Sequence, residues 1–393
     1  MQFQEHQLEQ QAPPLVESSG NLEFGAAGTN VERNVGGASR TGPHRWHSFL
    51  KGILRKSCLL DLLSCATAQD RVEILLYHGF CLGSRPDPRF PKLMPIDLFE
   101  EHVRICARYL PPLSLDQLLK PGSRGVVITF DDGYANNFDL AFPVLRKYRM
   151  PATVFLTTGF VDRSTPLWGN WLEFLVMAAQ ARDSVFEWRD SKVNLPLTSS
   201  LRRTEVVAGL MRALRQLPIA DVHEFLRALE NHLKLRFNWK NVPNLLQPLT
   251  WDQVRTMRQS GLVSFGCHTV SHPVLSRCTR EAQTLEIFES KRRIEEELGE
   301  NCTTFAYPYG KHSDYTEATK EIVRSAGFDF VLSAESGSTK PSTCNPYELP
   351  RWGADLELNE LSFLVSGGPA LSGYLKKHGW RWERTLPSHL TEH

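Results

Sequence analysis

Seven short, nearly continuous apolar runs, separated by helical patterns, constrain this chain more than any other feature. The runs are VEILLYH (72–78), GVVITF (125–130), ATVFL (152–156), LVSFGCH (262–268), TTFAYP (303–308), FDFVLS (328–333) and YELPR (347–351). Between them, helical patterns span 98–110, 136–148, 251–260, 280–298 and 316–326. A strand without polar alternation is buried on both faces, which in soluble proteins means a parallel sheet covered by its crossover helices. The expected fold class is therefore α/β, and seven such strands point to a barrel rather than an open sheet.

The rhythm breaks once. Residues 164–249 read as helices (LWGNWLEFLVMAAQAR, SSLRRTEVVAGLMRALRQL, DVHEFLRALENHLKLRF), a helical insertion between the third and fourth strands. Residues 1–43 are rich in Gly, Gln and Ser and read as a disordered tail. Residues 46–66 read as an amphipathic helix that packs on the next domain or lies on a membrane surface, with Lys51, Arg55 and Lys56 beside its apolar face. The barrel is expected over 71–368 and a polar tail over 369–393. No apolar run is long enough for a transmembrane helix, and the N-terminal stretch lacks a secretory core, so the expected location is the cytoplasm or its membrane surface. The net charge of +1 gives no reason to expect a nucleic-acid partner. The eight cysteines contain no C-x-x-C pair, and a chain of 393 residues with 41% hydrophobic content needs no disulfide staples.

Three strand ends carry chemistry. The second run ends in Asp131 and Asp132, followed by Gly133. Successive strand residues face opposite ways, so two adjacent acids share a pocket only where the chain turns, which Gly133 permits. The end of a barrel strand is where α/β barrels place their sites. The fourth run ends in HTVSH, placing His268 and His272 at i and i+4, a spacing that brings two imidazoles to one side of a helical turn. Two imidazoles and one carboxylate make a three-ligand metal site with room for water. The fifth run ends in AYPYG, where Pro308 stiffens a turn, Gly310 lets backbone approach a ligand, and Tyr309 offers a backbone N–H.

TFDDGYANN, HTVSHPVLS and FAYPYG, in this order, resemble the polysaccharide deacetylase (NodB-homology, carbohydrate esterase four) family, in particular its exopolysaccharide branch. The resemblance covers about residues 72–355. It implies a distorted (β/α)7 barrel that removes acetyl groups from N-acetylglucosamine polymers, peptidoglycan sugars or xylan. It implies Asp131 as general base, Asp132, His268 and His272 as ligands of a divalent metal, usually Zn2+, and Tyr309 as oxyanion donor. Thr269 or Ser271 would steady the histidine loop; Tyr307, Pro308, Tyr309 and Trp352 would line the carbohydrate groove. Two positions depart from the pattern. The family arginine two residues before the motif proline is Ala306 here, and Arg351 in ELPRWGAD is expected to supply that cation. The late leucine–histidine motif is missing, since His378, His389 and His393 lie in a polar tail; His78 on the first strand, a neighbour of the last in a barrel, is expected as general acid. An O-acetyl esterase or cyclic-imide hydrolase on the same barrel, or a carbohydrate-binding protein of weak activity, are the alternative readings.

Overall fold

The computed structural model describes residues 70–85, 93–118, 120, 122–353 and 356–368. The expected 1–43 tail, 46–66 helix and 369–393 tail lie outside these residues. The described strands are β1 (Arg71–Tyr77), β2 (Phe80–Cys81), β3 (Met94–Pro95), β4 (Arg124–Phe130), β5 (Ala152–Leu156), β6 (Ser184–Trp188), β7 (Ser191–Leu195), β8 (Val263–Cys267), β9 (Thr304–Ala306), β10 (Phe330–Leu332) and β11 (Trp352–Gly353). Seven of them form one parallel sheet in the order β10-β9-β8-β5-β4-β1-β11. This is a curled α/β half-barrel surrounded by helices, as expected for a distorted (β/α)7 barrel.

The seventh strand differs from its predicted position in an informative way. Trp352 pairs with Leu75 of β1. Just upstream, Leu349 bridges Leu332 of β10, with Leu349 N donating to Val331 O at 2.9 Å and Ser333 N to Leu349 O at 2.9 Å. One segment thus touches both edge strands and draws the sheet towards closure. A two-residue strand on one edge and a bridge on the other do not make a single apolar run, so the sequence pattern placed the element only approximately.

Strand parity divides the core. Leu75, Tyr77, Ile128, Phe130, Val154, Leu156, Phe265, Cys267 and Phe305 belong to the cluster under the surrounding helices. Ile74, Val127, Phe155, Ala306, Leu332 and Leu349, the alternate positions, belong to a smaller cluster inside the curl. That interior is full: a Cβ on Gly266 would sit 2.4 Å from Thr304 Oγ1 and 2.6 Å from Phe155. The inner series continue to the strand ends, so parity aims residues 78, 131, 268 and 351 inwards.

Helices Ile96–Tyr109, Trp251–Gln259, Arg280–Leu298 and Glu317–Ser325 match their sequence patterns to within two residues at each end. The Trp251 helix starts with a capping box between Thr250 and Gln253. The 136–148 pattern opens instead as a π-turn, Asn137–Ala141, before the α-helix Phe142–Tyr148. Pro143 lacks the N–H that a regular i→i−4 bond would need. The insertion has its own core, built by helices Trp168–Ala178, Ser200–Leu214 and Ile219–Leu233. It is not wholly helical: β6 and β7 form an antiparallel hairpin. Phe186, Trp188, Val193 and Leu195 alternate inwards, but the Arg189–Asp190 turn lacks the Asn-Gly or Asp-Gly pair that usually signals a hairpin. No helix among the described residues is long and apolar enough to cross a membrane, and Cys81, Cys106, Cys267, Cys278, Cys302 and Cys344 are free thiols.

Candidate active site

The chain turns earlier than the glycine alone would suggest. Asp132 itself has φ +76° and Gly133 φ +88°. Asp131 N still donates to Tyr77 O at 2.9 Å, in line with the strand, while Gly133 N turns back to Asp131 O at 3.0 Å. A side chain on Gly133 would meet Leu156 Cδ2 at 2.8 Å as well as the unfavourable φ. Both carboxylates are therefore buried at the head of β4, 2% and 7% exposed.

Asp131 is locked to Arg351. The guanidinium donates from Nη1 to Oδ1 at 2.7 Å and from Nη2 to Oδ2 at 2.8 Å, while its Nε donates to Ser333 O at 2.7 Å. Burial alone would raise the Asp131 carboxyl, but the Arg351 charge and its two hydrogen bonds outweigh it and hold the group at about 2. The expected cation thus comes from the closing segment of the barrel, while Ala306 at the family's arginine position lies in the apolar interior.

The histidine loop also converges on the carboxylates, though not through a helical turn. Residues 268–272 form an irregular loop in which Thr269 (φ +67°) and His272 (φ +59°) are both left-handed. His268 Nε2 lies 3.8 Å from Asp132 Oδ1 and 3.8 Å from Asp131 Oδ2; His272 Nε2 lies 3.4 Å from Asp132 Oδ1. His268 Nδ1 donates to the Ala306 carbonyl at 2.8 Å, which leaves Nε2 of the neutral ring as a lone-pair donor. Burial pushes His272 down to about 4, against the pull of Asp132, so this ring is neutral at pH 7.

These atoms fit a metal. One atom from each of Asp132, His268 and His272 lies within 4.8 Å of the others, and Asp132 Oδ1 is buried without a hydrogen-bond partner. An orphaned carboxylate oxygen facing two imidazole nitrogens costs free energy unless a cation sits between them. The set of two nitrogens and one oxygen suits zinc and its neighbours in the first transition row.

The site opens into a cleft of about 630 Å³ lined by His78, Asp131, Asp132, His268, His272, Tyr309, Trp168 and Asn170, among others. His78 is exposed on the cleft wall rather than packed in the core. Tyr309 has φ +61°, its ring stacks edge-on to His272 at 4.8 Å, and Arg215 of the insertion lies 4.2 Å over it. Burial raises its phenol, which stays protonated. Among the described residues no carbonyl takes the Tyr309 N–H, whereas Gly310 N bonds back to Pro308 O at 2.7 Å.

Three expected groove residues do not face this cleft. Tyr307 is fully buried in the helix-facing core and stacks on Tyr315 at 3.9 Å. Pro308 is buried and absent from the lining. Trp352 follows the inward Arg351 and so points outwards, donating its indole N–H to Glu73 at 2.7 Å. The cleft wall comes instead from Trp168, Gly169, Asn170 and Met211 of the insertion, with Tyr134 hydrogen-bonded to Asn170. The aromatic-rich LWGNW stretch was the available signal, but it was read only as part of a helical insertion.

A family model described as "Polysaccharide deacetylase" matches residues 119–331, more than half of the chain. YxkH of Bacillus subtilis (strain 168), a proposed polysaccharide deacetylase, is 24% identical over 276 residues; the match spans 68% of this chain and 66% of that protein, just under two thirds of the relative's length. Among solved structures, the Streptococcus pyogenes deacetylase PplD in complex with acetate is 19% identical and covers 75% of this chain and 97% of its own, with a TM-score of 0.49. IcaB from Ammonifex degensii is 18% identical and covers 76% and 98%, also at 0.49. With the match running from the foot of β4 to β10, across both carboxylates and both histidines, the chain belongs to the polysaccharide deacetylase family of hydrolases.

Proposed function

We propose that this chain is a divalent-metal-dependent hydrolase that removes N-acetyl groups from an N-acetylglucosamine-type saccharide, releasing acetate. The observation that carries this reading is the three-donor cluster of Asp132, His268 and His272 beside an acid, Asp131, whose charge is secured by Arg351.

A divalent ion held there supplies Lewis-acid polarisation of an acyl carbonyl and acidifies water. Asp131, ionised throughout the neutral range, accepts the proton of the attacking water. Its two bonds to Arg351 use two of about four lone-pair sites, so a water can still be oriented by the others. The Tyr309 N–H stabilises the negative charge that develops on the carbonyl oxygen. His78, across the cleft, gives a proton to the departing amine, which would otherwise leave as a poor amide anion. Tyr309 and Trp168 give the sugar ring apolar faces to pack on.

Acetate release from N-acetyl chitooligosaccharides, acetylated xylan and a cyclic imide, assayed side by side, tests the reading. Turnover on the first substrate is expected, and turnover confined to either of the others would replace it with the corresponding hydrolase. Trp168 also packs in the insertion's core, so Trp168→Leu, which keeps apolar bulk there, should raise KM with little change in kcat. Loss of one aromatic contact of about 0.5–1.5 kcal/mol corresponds to roughly 2–12-fold.

A further inference from the structure

Glu286 enters no step above, yet it is partly buried and both its carboxylate oxygens bond the histidine loop. It stands on the helix Arg280–Leu298. Its Oε2 accepts from Val270 N at 2.8 Å and Ser271 N at 2.9 Å, and its Oε1 accepts from Ser271 Oγ at 2.5 Å. On the other side of the loop, Thr158 N donates to Thr269 O at 3.1 Å and Gly159 N to Val270 O at 2.9 Å. A Cβ on Gly159 would lie 2.6 Å from Val270 O, so that approach needs a glycine. Within the loop, His272 N donates to Thr269 Oγ1 at 3.1 Å.

The loop needs this clamp. Two non-glycine residues in the left-handed region, one of them the β-branched Thr269, are disfavoured unless the surroundings fix them. Those two residues set the direction of the His272 ring relative to His268. Relaxing either one would swing His272 away from Asp132. Val270 N and Ser271 N can only donate and share one carboxylate oxygen, Oε2, while the Ser271 hydroxyl bonds Oε1. A glutamine can keep these contacts, its Oε1 facing the two backbone N–H groups and its N–H₂ the Ser271 hydroxyl oxygen, whereas an alanine loses all three.

We propose that Glu286 is a positioning residue for the metal site: it holds residues 269–272 in their left-handed path and thereby pre-sets His272 opposite His268 and Asp132. This rests on the metal-binding reading of those three residues. The test is zinc affinity of the apoprotein, measured by competition with a chelating dye, together with melting temperature. Glu286→Ala should weaken zinc binding about 10–100-fold, the usual cost of removing a partner behind a ligand, and Glu286→Gln, which can keep the bonds, should weaken it less. Glu286→Asp should recover part of that loss, and Ser271→Ala, which removes one of the three bonds, should weaken binding less than Glu286→Ala. At saturating zinc the Ala variant should regain most of its kcat with KM unchanged.

Variants that melt earlier but bind zinc with wild-type affinity when folded would overturn the proposal, leaving Glu286 a packing tether. Should the Gln and Ala variants fail to fold, Glu286→Asp and Ser271→Ala decide, and wild-type zinc affinity in both overturns it. A wild-type protein that binds no zinc overturns the metal reading and this proposal together, so the two failures are distinguishable.

Discussion

Asp131→Asn is expected to lower kcat by about 10²–10⁴-fold, the range for loss of a general base, while the protein still binds one equivalent of divalent metal. The two halves of that result separate roles that adjacency obscures. Asp131 and Asp132 are neighbours in sequence and both buried, but only Asp131 is engaged by Arg351 at both oxygens, and only Asp132 keeps an unpartnered oxygen towards both imidazoles. Asparagine preserves shape and one acceptor oxygen but cannot take up a proton at neutral pH. Metal content by mass spectrometry and acetate release on the same sample check the prediction. Wild-type turnover in Asp131→Asn would remove the proposed mechanism.

Arg351→Ala should cost about 3–5 kcal/mol of stability, because it leaves a carboxylate buried without its counter-charge. Arg351 is itself 1% exposed and also ties the closing segment to the end of β10 through Ser333 O, so its loss loosens the closure of the sheet. Arg351→Lys should recover little, since an ammonium cannot match the two-pronged contact. The pair also sets a pH dependence. The Asp131 carboxyl is lowered from 3.8 to about 2 in the folded chain, so the stability it contributes is present above about pH 4 and lost as pH falls through about 2. With a shift of this size the contribution is about 2 kcal/mol. In Arg351→Ala, burial alone would raise the group, so the acidic limb of the pH–rate profile should move to higher pH. Urea unfolding at pH 7 and pH 3, with the pH–rate profile, measures both. An unchanged unfolding midpoint at pH 7 would contradict the role given to the pair.

Much of this was legible before any coordinates. Apolar runs on both strand faces required a covered parallel sheet, and the acids and histidines at the ends of β4 and β8 could meet only if those strands lay side by side or nearly so; β5 alone separates them. Arg351 was found by asking what replaces the cation missing at Ala306, and parity supplies the reason: Leu349 and Arg351 face inwards while Trp352 faces out. The same parity would have removed Tyr307, which continues the outward series of Phe305. What stayed hidden is non-local or conformational. The left-handed turns at Asp132, Thr269 and His272 have no glycine to mark them. Glu286 stands 15 and 16 residues beyond the loop residues it bonds, on a helix whose pattern is otherwise ordinary. The cleft wall comes from an insertion whose helices satisfy their own core first, so Trp168 and Asn170 carried no periodic signal of their second duty.

Zinc titration of the metal-free protein by equilibrium dialysis asks most directly whether Asp132, His268 and His272 act as one unit. One tightly held equivalent in the unaltered chain, abolished alike by Asp132→Ala, His268→Ala and His272→Ala in folded protein, is the predicted result. Full-strength binding of that equivalent after any one of the three side chains is removed would contradict the shared site.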